Sequence, residues 1–241
     1  MTTDFEKEFL AQQNEQQAKH LSQFFKTGKG QYSENDIFLG LKVGQTRAIV
    51  KEFWHKYSIS EIANILKSPY HEIRLGALLM LIKKYEIAEV TEKKEIYATY
   101  IKNIEQVNNW DLVDMTAPNI VGHYVYHLGS EKDLWQLAES CNLWAQRVSI
   151  VASWYFIKKG KYNYTLDICE NFFTHDHDLI HKATGWMLRE VGKKDEKTLC
   201  DFLDKNACYM PRTTLRYAIE RFEEIKRKSY LAIKKITYFN S

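Results

Sequence analysis

Cys141-Asn-Leu-Trp-Ala-Gln-Arg147, followed by Val148-Ser-Ile-Val-Ala-Ser-Trp-Tyr-Phe-Ile157, runs from a polar turn through one basic residue into a long uncharged apolar stretch. The same order returns in residues 68–84 (Ser-Pro-Tyr-His-Glu-Ile-Arg), in 175–189 (His-Asp-His-Asp-Leu-Ile-His-Lys) and in 206–222. With Arg74, Arg147, Lys182 and Arg216 as markers, the spacings are 73, 35 and 34, and the first gap is close to two periods with its midpoint at Trp110. Two helices recurring every 34–40 residues or so mark an α-solenoid, in which each unit buries its apolar face only against its neighbours. The expected fold is therefore all-α, with about six HEAT-like helical pairs, curved, with a basic concave face. One domain is expected over 1–241, with an N-terminal helix in 1–25 (residues 4–23), another early helix at 46–57, and a basic tail at 226–241 that reads equally as a last helix or a loose arm.

Composition agrees with this reading. The chain has 241 residues, 45% of them hydrophobic, and only three prolines and ten glycines, so it can bury a large core with few helix breakers. Pro69 after Ser68 is expected to open a helix behind an N-cap. The uncharged runs are about half of the roughly 20 residues that a spanning helix requires, so no membrane association is expected. The acidic start, Met-Thr-Thr-Asp-Phe-Glu-Lys-Glu-Phe, lacks a secretory pattern, and a cytoplasmic location is expected. Cys141, Cys169, Cys200 and Cys208 show no Cys-x-x-Cys spacing, which predicts free thiols rather than a zinc or redox site.

The net charge of +3 is unevenly distributed. Residues 141–241 hold 18 Lys or Arg against 12 Asp or Glu, giving +6, whereas residues 1–140 hold 16 against 19, giving −3. The second half is the better match for a polyanion. Equivalent positions of a solenoid line one surface, so Arg74, Trp110, Arg147, Lys182 or Trp186, and Arg216 are expected to face the same way. Basic residues early in helices there would add to the positive dipole ends and suit phosphates.

Trp110 and Asp114 stand four residues apart in a helical segment, on one face. Taken singly, each site residue has an ordinary structural reading: a helical Trp packs in a core, Asp114 caps or pairs with a lysine, and Arg147 pairs with an acid such as Glu170. Asp111 fits either a helix start or support of the neighbouring repeat. The run His175, Asp176, His177, Asp178 reads as a solvated turn, since consecutive residues rarely converge on one ion, and no metal is expected. Lys158, Lys159, Lys161, Lys193 and Lys194 suit phosphate binding and helix-end solvation equally. The loop at 26–40 is glycine-bearing, but Gly-x4-Gly-Lys-Ser/Thr is absent, so it is not a nucleotide-binding loop of that kind.

Together these segments resemble the AlkD-like DNA alkylation repair glycosylases, built from HEAT-like repeats. The likeness runs from about residue 24 to 222. It is carried by Phe-Leu-Gly at 38–40, Trp-Asp-x-x-Asp at 110–114, Trp-x-x-Arg at 144–147, and Lys-Ala-x-Gly-Trp-x-Leu-Arg-Glu at 182–190. The resemblance implies hydrolysis of the N-glycosidic bond of cationic alkylated purines, such as N3-methyladenine and N7-methylguanine, in duplex DNA. It implies no cofactor, a monomer, and no insertion of the damaged base into a pocket, unlike enzymes that flip their target. It also implies that Trp110, Asp114 and Trp186 form the catalytic set, with Arg147, Lys182 and Arg189 among the DNA contacts, joined by Arg74 and Arg216 from the repeat register. The family offers a tyrosine near the DNA from an early helix; Phe24 is the nearest candidate here, so the hydroxyl contact is expected to be missing while Phe24 or Phe25 supplies an aromatic contact to the DNA. The competing expectation is a catalytically inactive HEAT-repeat scaffold that binds nucleic acid or protein, because curved repeat surfaces serve both purposes.

Overall fold

A computed structural model describes residues 2–236, which are all-α apart from turns and one isolated bridge between Ile37 and Tyr70. They divide into two compact units, Met1–Thr116 and Ala117–Ser241. In the first lie α1 (Asp4–Ala11), α2 (Glu15–Phe24), α3 (Val43–Phe53), α4 (Ile59–Ile65), α5 (His71–Ile87), α6 (Val90–Lys102) and, apart from its last residue, α7 (Trp110–Ala117). The second holds a π-helical turn, Pro118–Gly122. It continues with α8 (His123–His127), α9 (Glu131–Ala138), α10 (Leu143–Ala152), α11 (Trp154–Lys158), α12 (Asn163–Asn171), α13 (Asp178–Lys194), α14 (Glu196–Asn206), α15 (Arg212–Ala218) and α16 (Glu224–Ala232).

Each unit is organised around one long helix. In the first it is α5, buried on every side from His71 to Leu78, with the polar His71, Glu72 and Arg74 at its start buried along with the apolar residues that follow. α1 lies against it: a Cβ at Gly76 would meet the Phe5 and Phe9 rings at 2.7 and 2.9 Å. In the second unit α13 buries Ile180, Ala183, Met187, Leu188 and Val191, the spacing of one helical face. α15 lies closely against that helix, for a Cβ at Gly185 would sit 2.5 Å from both the Thr214 carbonyl oxygen and the Tyr217 Cβ. Gly122 stands in the same relation to the Ala152 carbonyl oxygen, at 2.3 Å, and to the Tyr155 Cβ, at 2.9 Å. The two pairs of contacts show the same neighbour-to-neighbour packing recurring along the chain. Gly185→Ala is expected to cost about 1–3 kcal/mol through overpacking. A thermal melt checks it, with an unchanged midpoint as the contrary result.

Two local expectations are corrected, and the open reading of the tail is decided as far as residue 236. Residues 4–23 are not one helix: Asn14 caps α2, its side chain accepting from the Gln17 N–H, while its own N–H donates to the Leu39 carbonyl at 2.8 Å. The crossing there is so close that a Cβ on Gly40, whose φ is +89°, would fall 2.1 Å from the Asn14 oxygen. Pro69 does not open a helix; α5 begins at His71, and the Ser68 and Pro69 carbonyls both accept from Arg74. The tail is helical over Glu224–Ala232 and held as far as Ile236, whose N–H donates to the Cys208 carbonyl at 2.7 Å. Residues 237–241 of the expected tail lie outside the described residues.

No helix of the described residues is long and apolar enough to cross a membrane. Cys169 is buried, and burial pushes its thiol pKa up.

Candidate active site

Asn109 starts the site. Its carbonyl accepts from Val113 N–H in the first turn of α7, and its side-chain oxygen from Trp110 N–H at 2.8 Å. Its amide nitrogen donates to Ser33 Oγ at 2.7 Å and Asp36 Oδ2 at 2.8 Å. The loop before α3 therefore fixes where α7 begins. From that start Trp110 and Asp114 project into one cavity of about 500 Å³, together with Phe24, Phe25, Phe38 and Leu75.

Aromatic rings build the wall. Phe25 stacks on Trp110 with centroids 5.2 Å apart, and on Phe38 at 5.0 Å. Phe24, 58% exposed, meets Trp110 edge-on at 6.0 Å. A phenol does reach this site, from a residue the sequence reading passed over: Tyr32, whose hydroxyl accepts from the Trp110 indole N–H at 3.3 Å. The Trp110 ring is thus held at its edge and on its face, while Trp110 and Asp114 both remain half-buried. Asp114 also lies close enough to Tyr100 for its charge to add to the burial that raises that phenol's pKa.

Behind the wall is a buried ionic cluster. His71 at the start of α5 is 2% exposed, with Nδ1 3.2 Å from Asp36 Oδ2 and Nε2 2.9 Å from Asp111 Oδ2. Asp36 Oδ1 accepts from Arg74 Nη2 at 2.5 Å, and Asp111 Oδ1 from Leu112 N–H at 2.9 Å. Burial alone would push the His71 pKa down, but the Asp111 charge and hydrogen bond, followed by those of Asp36, raise it to about 9. For Asp36, burial pushes the carboxyl up, while the His71 hydrogen bond and the Arg74 charge outweigh it and hold the pKa below the ordinary value. One residue on, Glu72 accepts from the backbone N–H groups of Leu39, Gly40 and Leu41 at 2.8–3.2 Å. That anchor places Phe38 against the His71 ring, centroids 4.6 Å apart. The Phe-Leu-Gly motif is therefore a ligand of the Glu72 carboxylate and part of the cavity wall.

The sequence reading missed Asp36, His71 and Glu72. The one available signal was spacing: Asp36, His71 and Asp111 lie 35 and 40 residues apart, within the range expected of the repeat. Asp111 accepts from Leu112 N–H at the start of its own helix and also meets His71 of α5.

The expected basic residues stand in different surroundings, and a common basic face is not shown. Arg74 is 3% exposed, with its guanidinium shared among Asp36, Asn108 and the Ser68 and Pro69 carbonyls, so it braces the fold rather than presenting charge to a ligand. Arg147 is 4% exposed, and its Nη1 donates to the Leu179 carbonyl at 2.5 Å. Arg74 in α5 thus reaches Asn108 just ahead of α7, and Arg147 in α10 reaches Leu179 at the start of α13. At these two positions the recurring basic residue ties its helix to a later segment of the chain. Of the others, Lys182 pairs with Asp178 at 2.8 Å, Arg189 with Glu220, and the Trp186 indole donates to Glu190 at 3.1 Å, each partly exposed, whereas Arg216 is exposed. These four lie in the second unit. In the turn before α13, His177 Nδ1 accepts from Leu179 N–H as a cap, and no three His, Cys, Asp or Glu converge as metal ligands among the described residues.

No curated protein matches the chain. A solved structure described as a predicted DNA alkylation repair enzyme from Enterococcus faecalis shares its fold, with a TM-score of 0.68 at 17% identity over 88% of this chain and 98% of that one. The family described as DNA alkylation repair enzyme matches residues 5–222, which spans both units and the whole aromatic cavity. With that match over most of its length, the chain belongs to the DNA alkylation repair enzyme family.

Proposed function

We propose that this protein is a DNA glycosylase that hydrolyses the N-glycosidic bond of cationic alkylated purines, N3-methyladenine and N7-methylguanine, in duplex DNA. The observation that carries the reading is the placing of Trp110 and Asp114 on one wall of an aromatic cavity, with the carboxylate half-exposed and the indole held by Tyr32 and Phe25. An N3- or N7-alkylated purine already carries positive charge and leaves neutral, so its departure needs little proton donation. Charge then develops on the sugar, and a preorganised carboxylate opposes it. Asp114 takes that role and orients the attacking water. Trp110 lays its π face toward the cationic nucleotide, a contact worth about 0.5–2 kcal/mol.

In the second unit, Trp186 is assigned to the lesion strand, and Lys182, Arg189 and Arg216 to phosphates. Arg147 supports them from its buried position. The base is not inserted into a pocket before cleavage, the protein acts as a monomer, and no cofactor takes part.

The experiment is an assay of the purified protein on duplex DNA carrying N7-methylguanine, scoring free base and abasic sites. Release of free base supports the reading. Binding without release at any enzyme concentration overturns it in favour of a non-catalytic scaffold. Arg216→Ala is expected to weaken binding to all sequences alike and to reduce the slope of log K against log salt by about one. Equal binding at every salt concentration would remove the phosphate assignment.

A further inference from the structure

His71 is a buried titratable group that the chemistry above does not use. Both of its ring nitrogens face carboxylates, Asp36 at 3.2 Å and Asp111 at 2.9 Å. An ionised carboxylate only accepts hydrogen bonds, and a neutral imidazole has only one N–H, so two such contacts require the doubly protonated ring. With His71 cationic, the buried cluster of Asp36, Asp111, His71 and Arg74 carries two negative and two positive charges. Phe38 stacks on the ring at 4.6 Å and Phe25 covers it at 5.2 Å, which adds cation–π attraction.

This cluster holds the part of the chain that carries the reacting groups. Asp111 lies between Trp110 and Asp114 in the first turn of α7. Asp36, the other partner of His71, also receives the Asn109 side chain whose oxygen accepts from the Trp110 N–H. Phe25, which covers His71, also stacks on the Trp110 indole. The charged groups around His71 are Asp36 on the loop, Asp111 and Asp114 on α7, Glu72 and Arg74 on its own helix, and Lys42 at the cap of α3. Once neutral, the ring can donate to one carboxylate only. The other then meets a lone pair inside a buried site, and the cheapest relief is movement of the first turn of α7.

We propose that His71 is a positioning residue for glycosidic-bond cleavage: clamped as an imidazolium between Asp36 and Asp111, it fixes Trp110 and Asp114, and loss of its proton switches cleavage off. The proposal rests on the glycosylase reading for its activity arm only. The His71 pKa lies above the ordinary 6.5, so the clamp is fully present below that value and is lost as pH rises through about 9.

The first measurement needs neither activity nor a variant: an NMR titration of the wild-type imidazoles, following the Trp110 indole N–H in parallel. A His71 titration near pH 9, with the Trp110 resonance moving at the same midpoint, is expected. Titration of His71 at or below its ordinary value, or a Trp110 signal indifferent to it, overturns the proposal. Asp111→Asn removes one carboxylate and should bring the His71 midpoint down; an unmoved midpoint counts against the clamp. In the activity arm, single-turnover cleavage of N7-methylguanine duplex, corrected for spontaneous base loss at each pH, should fall about tenfold per pH unit above the midpoint, as for one required proton. DNA affinity should stay constant across that range. His71→Gln should cleave about 10²-fold more slowly, the scale of a displaced reacting group. It should bind DNA as tightly as wild type and lack the alkaline limb. A His71→Gln that keeps the limb, or that loses affinity rather than rate, overturns the positioning role. Absence of cleavage in the wild type strikes the glycosylase reading instead, and the NMR arm still decides the clamp.

Discussion

Asp114→Asn is expected to lose about 10²–10³-fold in the rate of base release while binding lesion-bearing duplex as tightly as the wild type. Asn keeps the shape and one acceptor oxygen but removes the charge that opposes a developing cation on the sugar. The transition state therefore loses an interaction that the ground state scarcely uses, so rate falls and affinity does not. Single-turnover cleavage of N7-methylguanine duplex, beside a binding titration on the same DNA, reads both quantities. Cleavage at the wild-type rate would end the role given to Asp114. A matched loss of affinity would recast it as a residue that holds the fold or the DNA.

Glu72→Ala should produce the largest loss of stability, about 3–5 kcal/mol, the scale for leaving the partners of a buried charge unsatisfied. Its carboxylate is the acceptor for the N–H groups of Leu39, Gly40 and Leu41, which are buried and lose that acceptor in the alanine variant. At about 2–4 °C per kcal/mol for a chain of this size, the melting midpoint should fall by roughly 10 °C. Glu72→Gln keeps an oxygen in the same place and should cost clearly less. The same substitution should also loosen the cavity, since residues 38–41 carry Phe38 against Phe25 and His71. Chemical denaturation of the three proteins side by side checks the order. A Glu72→Ala protein that unfolds at the wild-type midpoint would mean that the backbone of this segment finds other acceptors at no cost.

Much of the architecture was legible one segment at a time. Residues 175–189 read as a helix-like segment after a polar turn, and the structure supplies α13 over Asp178–Lys194. The pairing of Trp110 with Asp114 follows from helical geometry alone, and both line one cavity. The break at Asn14 was less legible, because it answers the close passage of Gly40, a residue far along the chain. Arg74 and Arg147 show the limit most clearly. They recur at a regular spacing, but a period along the sequence does not say whether equivalent residues face solvent or another part of the chain.

By itself the sequence determined that the chain is helical and that one helix offers an indole and a carboxylate on the same side. These follow from interactions within a turn or two of helix, where 3.6-residue periodicity leaves little choice. Only the tertiary structure decided that Asp36, His71 and Asp111 meet, that Glu72 gathers three backbone amides, and that Tyr32 reaches Trp110. Those contacts join residues more than 30 positions apart, and their strength comes from burial, where an unpaired charge is costly and a matched set is held in one arrangement.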